Sequence, residues 1–455
     1  MIQENHKSVY IESLGCVRNS VDSEVMAGHL EAAGHTIVED PASASVIIVN
    51  TCGFISAASE EAVDVILSMA EYKKEKLDRL IVTGCLVQRY KDDNLLDSMP
   101  EVDAFLGIGA VNSIVNAVED KSADVLAIFP DPGSKKQVQG FSPLPRKFSS
   151  LTPGYIKVSE GCNQKCTYCI IPKLRGHQRS RPVNEILDEV AEYVNRGSKE
   201  IALVAESTTD YGLDLEENIG LENVLSNIAQ TVRGKSAQLA IEPPWIRLLY
   251  TYPSTLSEKI IDIVIDSPEI CSYFDVPVQH ASSGILKRMG RGYVKEDLYD
   301  LFKYIRVKDP LAALRTTIIT GFPGETEEDF NNLLQFIEHV QFDHLGVFAY
   351  SDSDDLKSHM LDNHVPEDIA AKRHDIIMEK QAQISYNINQ KHIGSTYSVL
   401  VEEKSDTGVY LGRSRFQAPE VDGLTFIYGF NLESGSYVDV KITEAYEYDI
   451  AGEIA

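Results

Sequence analysis

Between residues 8 and 120 the chain alternates short apolar runs with longer segments whose apolar residues recur every three or four positions. VYIESLG, VIIVNT, RLIVTG and AFLGIG are short and mostly rich in β-branched residues, so they predict strands. VDSEVMAGHLEAAG and SAASEEAVDVILSMAEYKKEK, lying between them, predict amphipathic helices. This βαβα order predicts an α/β domain with a parallel sheet. The stretch FPDPGSKKQVQGFSPLPRKFSS (129–150) is rich in Pro, Gly, Ser and Lys and predicts a linker. A second alternation follows, with strand candidates YIKVSEG, EIALVAES, WIRLLYTY, CSYFDVPVQ, LRTTIIT and HLGVFAY. Six βα units in about 200 residues predict a partial (βα)6 barrel rather than the eight-unit form. A helical run from Pro366 to about Gln390 closes it. Beyond Ile393, STYSVLVEEK, GVYLGRSRF, LTFIYGF and SYVDVKITEAYEYDIAGEI alternate with turn residues and predict a small antiparallel β-barrel of about five strands. The expected division is 1–125, a linker 126–150, 151–388 and 389–455.

Length agrees with several domains, because 455 residues exceed one compact core. The N-terminus, MIQENHKSVYIES, lacks the apolar stretch of a signal peptide, and no run approaches the roughly 18 apolar residues of a membrane span. A cytoplasmic protein without a membrane partner is expected. Seven cysteines are too few for a disulfide scaffold, and clustered thiols in such a chain point to metal or redox chemistry. The net charge of -27 repels nucleic-acid phosphates and attracts basic proteins, or serves solubility alone.

The chemistry begins in EGCNQKCTYCIIP (160–172), with Cys162, Cys166 and Cys169 just past the first strand of the partial barrel. Catalytic groups of barrels gather at the C-terminal ends of strands. Three thiolates on a four-iron cubane leave one iron open, and an open position separates catalytic from structural metal sites. The alternative is a zinc site completed by His177 or Cys271, although the paired short spacings usual for zinc are absent. Cys16, Cys52 and Cys85 each follow a strand of the first domain. Adjacent strands lie about 4.8 Å apart, so the three thiols can meet around one cluster. Otherwise they are three buried cysteines packed as small hydrophobes. Cys271 begins a strand and reads as core. In LRTTIITGFPGETEEDF, a strand and a Gly-Pro-Gly turn precede a helix with Thr326 as N-cap and Asp329 at its third position. Gly321 and Gly324 let backbone approach a ligand closely, unless this is an ordinary βα turn.

C-x3-C-x2-C at this place resembles the radical S-adenosylmethionine superfamily. The resemblance implies that S-adenosylmethionine chelates the open iron and is cleaved to a 5'-deoxyadenosyl radical. It implies Tyr168 as the usual aromatic between the last two cysteines, and the Gly321–Gly324 turn beside the nucleoside. VAESTTDYG aligns with the segment that meets the methionyl ammonium, giving Glu206 as acceptor with Ser207 and Thr209 as helpers. Over essentially the whole chain, the domain order is similar to that of the methylthiotransferase family, whose last domain is of the TRAM type. This implies two [4Fe-4S] clusters, one for the radical and one for sulfur delivery, with S-adenosylmethionine also supplying the methyl group. A reductant such as flavodoxin or ferredoxin is implied as a partner.

The family acts on tRNA adenosine or on ribosomal protein. SLGCVRNSVDSE, NTCGFISAASEEA, EGCNQKCTYCIIPKLRG and PVQHAS resemble the second branch, which implies an aspartate of small-subunit ribosomal protein S-twelve, methylthiolated at its β-carbon, and no direct tRNA substrate. Gln279 and His280 end the fourth barrel strand, where substrate contacts are expected; His280 is otherwise a structural histidine. Residues 389–455 carry five basic and eleven acidic residues, an excess suited to a basic protein rather than to tRNA, or to a mere spacer. Two departures from the family stand out: Glu206 where Gln is more usual, and AYSDSDDLKSHM (349–360) in place of a Pro/Glu/Gly turn. The basic run KLRGHQRSR, with Lys173, Arg175, Arg179 and Arg181, either meets an anionic group or is a solvated face.

Overall fold

The computed structural model describes residues 6–93, 95–122, 124–132, 145–148, 152–216 and 219–455. Most of the linker expected at 126–150 lies outside them, although its first residues form a strand. The chain forms two compact units. The first is Met1–Ser149 with Ser159–Gln164 and Cys169–Glu185; the second is Ser150–Val158 with Lys165–Tyr168 and Ile186–Ala455.

The first unit is built on strands β1 (Ser8–Ser13), β2 (Thr36–Ile37), β3 (Val46–Thr51), β4 (Arg79–Gly84), β5 (Ala104–Leu106) and β6 (Leu126–Ile128). They form one sheet in the order β2-β1-β3-β4-β5-β6, parallel throughout. Its helices are α1 (Val17–Ala32), α2 (Ser56–Ala70), α3 (Cys85–Arg89), α4 (Leu95–Ser98), α5 (Ile114–Glu119) and α6 (Ile171–Arg175). A short antiparallel pair, β8 (Ser159–Glu160) with β9 (Arg179–Ser180), belongs here too. The run VIIVNT is buried at every position and apolar from Val46 to Val49 because it is covered on both faces. Ile47 and Val49 pack with Ala62 and Ile66 of α2, while Val46 and Ile48 pack with Met26 and Leu30 of α1.

In the second unit, β7 (Gly154–Lys157), β10 (Glu200–Val204) and β11 (Trp245–Leu248) form one parallel triplet in the order β11-β10-β7. The strands β12 (Tyr273–Asp275), β13 (Ala313–Thr320) and β14 (His344–Ala349) form another. A parallel bridge between Ile246 and Ile270 joins the triplets, giving the expected six-stranded partial barrel. Around it lie α7 (Val183–Asn195, which begins in the first unit), α8 (Leu221–Leu239), α9 (Glu258–Asp266), α10 (Ser283–Arg288), α11 (Lys295–Lys308), α12 (Glu327–Val340) and α13 (Glu367–Asn389). Thr326 caps α12 as expected, its hydroxyl accepting from the Asp329 amide while the Asp329 carboxylate returns to the Thr326 amide.

The terminal strands β15 (Thr396–Lys404), β16 (Tyr410–Ser414), β17 (Thr425–Tyr428), β18 (Tyr437–Ala445) and β19 (Ile450–Ile454) close a barrel in the order β15-β16-β17-β19-β18. It is not wholly antiparallel, because β17 and β19 run parallel. The reason is parity: an odd ring of five strands cannot alternate direction all the way round.

Buried charges fix this barrel to the N-terminal ends of the partial barrel's strands. At the start of β10, Glu200 accepts from Arg247 Nε (2.7 Å) and Arg413 Nη2 (2.6 Å). The Asp422 side chain, wholly buried, accepts from Tyr273 (2.7 Å) and Arg315 (2.6 Å). His344, first residue of β14, meets the Phe416 carbonyl at 2.8 Å. The loops that follow the C-terminal ends of the same strands are therefore at the opposite end of the partial barrel from these anchors.

Candidate functional site

Cys16, Cys52 and Cys85 stand at the C-terminal ends of β1, β3 and β4, three neighbours in the sheet. Local backbone chemistry brings them together. Gly15 has φ +85°, and a Cβ there would lie 2.6 Å from Cys52 Cβ, so only glycine lets the two loops touch. Gly84, with φ +103°, turns the chain so that Cys85 opens α3; a Cβ there would lie 2.5 Å from the Thr51 carbonyl. Asn19 Nδ2 donates to the carbonyls of Leu14 and Thr51, both at 3.0 Å, tying the Cys16 and Cys52 loops together. Arg89 donates to the Gly53 carbonyl at 2.9 Å and holds the Cys52 loop from below.

The thiols feel one another. Burial pushes the Cys85 thiol up, the nearby Cys16 and Cys52 add to this, and the Arg175 guanidinium opposes it. For Cys16, burial also acts upward, but Arg18, Arg175 and backbone amides outweigh it and hold the thiol below its ordinary value. Among the described residues, no three His, Cys, Asp or Glu side chains stand around a single metal-ion position. An all-thiol donor set on three adjacent strand ends suits a multi-iron cluster, whose cysteines bind separate irons and stand further apart than ligands of one ion.

The second triplet lies on the loop after β7 and β8. Cys162 is buried, its amide bonded to the Gly176 carbonyl (3.1 Å), and its sulfur accepts from the Gln164 amide at 3.4 Å. Cys166 and Cys169 are half-buried. In the second unit, Thr167 is stitched to the end of α10 through Met289 and Arg288 carbonyls, both at 2.9 Å. Tyr168 meets Phe322 edge-on at 6.2 Å, linking this loop to the 321–324 turn. Arg291 lies between the rings of Tyr168, Tyr252 and Tyr293.

The chain matches the Uncharacterized protein family UPF0004 over residues 8–107, the Radical SAM superfamily over 156–337 and the TRAM domain over 393–455. It is 45% identical to the ribosomal protein uS12 methylthiotransferase RimO of Desulfosudis oleivorans, over 98% of this chain and 99% of the relative. It is 42% identical to the RimO of Clostridioides difficile, over 98% of each. The chain belongs to the RimO family. Among solved structures its fold is similar to that of the radical S-adenosylmethionine methyltransferase TsrM from Kitasatospora setae (TM-score 0.56, 15% identity, covering 75% of this chain and 74% of that one). It is also similar to the cobalamin-dependent S-adenosylmethionine radical enzyme OxsB (TM-score 0.54, 12% identity, 84% and 58%).

In this RimO-family chain the expected cofactor and substrate residues divide into two groups. Glu206 and Ser207 follow β10, and the buried Ser207 hydroxyl has no hydrogen bond among the described residues. Gln279 is half-buried in the left-handed region at φ +68°, a conformation costing a non-glycine residue about 1 kcal/mol and most often retained where function needs it. The Thr209 hydroxyl is engaged elsewhere, accepting from the Tyr252 amide and bonded to Thr255, both at 2.8 Å. The missing Cβ atoms of Gly321 and Gly324 are explained by packing, since they would strike Ala370 and Arg288. His177 turns to Asn163, and Cys271 is core, so neither completes a zinc site.

The His280 ring is wholly buried, which fits the structural alternative for this residue. Its Nδ1 accepts from the Ser282 amide at 2.9 Å, and Nε2 faces Glu325 at 4.0 Å. Glu325 in turn accepts from the Gly321 amide (2.6 Å) and is held by Arg373 (2.9 Å), so His280 backs the turn. Burial pushes its pKa down to about 3. The folded ring is therefore neutral while the unfolded one takes up a proton below about pH 6.5, so stability falls as pH drops. By pH 5 the loss attributable to this group is about 2 kcal/mol. In denaturant titrations of the second unit, His280→Gln is expected to flatten this limb between pH 6.5 and 5; an unchanged slope refutes it.

Sequence reasoning missed Asn19 and the role of Arg175. Each lies inside a quoted cysteine segment, Asn19 on the first turn of α1 and Arg175 at the end of α6, and a polar residue close in sequence to a cysteine was the available signal.

Proposed function

We propose that this chain methylthiolates the β-carbon of an aspartate in small-subunit ribosomal protein uS12. The observation that carries the reading is identity to uS12 methylthiotransferases along essentially the full length. The acidic terminal barrel supports it over tRNA adenosine, since a nucleic-acid grip needs basic charge. In this reading Cys162, Cys166 and Cys169 hold one [4Fe-4S] cluster, and Cys16, Cys52 and Cys85 hold a second. When bound, the clusters supply the electron that cleaves S-adenosylmethionine and a site for the sulfur to be transferred. Tyr168 and the 321–324 turn border the nucleoside, Glu206 and Ser207 receive the ammonium, and Gln279 meets the substrate. The assigned domains are 1–125, 151–388 and 389–455, with 126–150 as the linker, whose first strand adds to the sheet of the first domain. A flavodoxin- or ferredoxin-type reductant and a cytoplasmic location complete the assignment. No helix among the described residues is long and apolar enough to cross a membrane.

Mass spectrometry of uS12 and of tRNA nucleosides, from cells with and without this gene, tests the substrate. Loss of one methylthio group from uS12 is the expected result. Unchanged uS12 with lost methylthioadenosine rejects it.

The anchors of the terminal barrel refine how it takes part. Arg413 and Asp422 are spent on packing, but Glu433, Asp439, Glu447 and Glu453 are exposed. Attached away from the loops at the strands' C-terminal ends, the barrel contributes binding remote from the chemistry. Replacing these four acids by lysine is expected to raise KM for uS12 about 10-fold and flatten its salt dependence, with kcat little changed. An unaltered KM shows that the acidity is not a docking device.

A further inference from the structure

Within the basic run, Arg175 ends inside the three-cysteine site formed by Cys16, Cys52 and Cys85. Its side chain is essentially inaccessible, and a buried guanidinium is costly unless paired. Nη1 donates to the Glu160 carboxylate, with Asp22 at 3.8 Å. Nη2 donates to Asn19 Oδ1 at 2.8 Å and to Cys85 Sγ at 3.5 Å. The Asn19 amide cannot flip, because its Nδ2 is committed to the Leu14 and Thr51 carbonyls. Its oxygen must therefore face Arg175. One guanidinium is thus oriented by the loops of Cys16 and Cys52 and touches the third cysteine directly. Both partners of the ion pair flank the other triplet in sequence: Glu160 precedes Cys162, and Arg175 follows Cys169.

We propose that Arg175 is a positioning residue of the three-cysteine site, a fixed cationic donor to the Cys85 sulfur that raises the reduction potential of the cluster held there. The proposal rests on the reading of that site as a second iron–sulfur centre. A donor to a ligating sulfur and a nearby positive charge both stabilise the more negative, reduced state. The same donor favours an anionic sulfur bound beside Cys85. Glu160 offsets part of the charge, so its removal acts in the opposite sense.

The test uses the full chain with Cys162, Cys166 and Cys169 replaced by alanine, so that the remaining iron reports on this site. Iron and sulfide per chain are measured, followed by a redox titration monitored by electron paramagnetic resonance. Arg175→Met is expected to lower the potential so that the reduced-to-oxidised ratio at a fixed potential falls at least tenfold, about 59 mV for one electron. Arg175→Lys should fall between, and Glu160→Gln should shift the potential upward. Coincident potentials at full iron loading overturn the proposal and leave Arg175 a packing residue. If Arg175→Met does not fold or load iron, Arg175→Lys and Glu160→Gln decide: shifts of opposite sign support the proposal, coincident values overturn it. A background chain that binds no iron overturns the two-centre reading, and this inference with it.

Discussion

Replacing Cys162, Cys166 and Cys169 together by alanine is expected to halve the iron of the anaerobically reconstituted protein, from about eight to about four per chain, and to abolish 5'-deoxyadenosine formation. Replacing Cys16, Cys52 and Cys85 should also halve the iron, but through the other centre. That second variant should lose methylthiolation of uS12 while still cleaving S-adenosylmethionine. The two outcomes differ because the proposed centres do different work, one cleaving S-adenosylmethionine and the other holding the sulfur. Within the second unit, Thr167 is tied to the α10 segment and Tyr168 to the turn after β13. The other three thiols sit at the C-terminal ends of β1, β3 and β4, braced by Asn19, Arg89 and Arg175. Full iron retention in either variant, measured beside circular dichroism to show that it folds, would refute the assignment of that triplet. Loss of all iron from a folded variant would likewise overturn the two-centre reading.

Much of this fold is visible in local sequence. VIIVNT and RLIVTG coincide with β3 and β4 residue for residue, because strands covered on both faces leave an unbroken apolar run bounded by turn glycines and polar residues. The matched placement of Cys16, Cys52 and Cys85 is legible for the same reason: strand ends can be located, and parallel neighbours put those ends side by side. What local sequence does not show is which distant residue arrives at a site. Arg175 reaches Asn19 across 156 positions, and Arg413 reaches Glu200 across 213. Arg175 reads equally well as solvated, and neither arginine's destination can be read locally, since it depends on a partner that no periodicity reveals. His280 is similar: its position past a strand end points to substrate, but Glu325 and the turn it supports enclose the ring. The parallel β17–β19 pair follows from counting strands, not from any property of the two segments.

The largest loss of stability is expected at Glu200. Its carboxylate is wholly inaccessible and accepts one bond on each oxygen, from Arg247 and Arg413. Arg247 lies over the Tyr273 ring and also donates to the Arg415 carbonyl at 2.9 Å, while Arg413 is shared with Glu402 at 2.7 Å. Burial alone would raise the Glu200 pKa, but the two guanidinium charges outweigh it and hold it below the usual carboxylate range. Glu200→Ala leaves two buried cations facing each other with the anion gone. Breaking such a pair from one side costs about 3–5 kcal/mol, against about 0.2–1 kcal/mol for an exposed pair. The comparison control is Arg196→Ala, which breaks the exposed Arg196–Glu192 bridge and should be nearly silent. The pH signature has a definite sign. Because the folded pKa is depressed, the contribution of Glu200 is complete above the ordinary carboxylate pKa and is lost as pH falls through the folded value. Acid below about pH 4.5 should therefore loosen the terminal barrel in the parent, and Glu200→Ala should loosen it already at neutral pH. Hydrogen exchange of β15 to β19 at pH 7 is the deciding measurement, because it reports on the barrel without requiring the whole chain to unfold in two states. Faster exchange confined to those strands and their seat on β10 to β14 is expected, with iron content unchanged. Parent-like protection would show that Arg247 and Arg413 find other partners and that Glu200 does not hold the barrel in place.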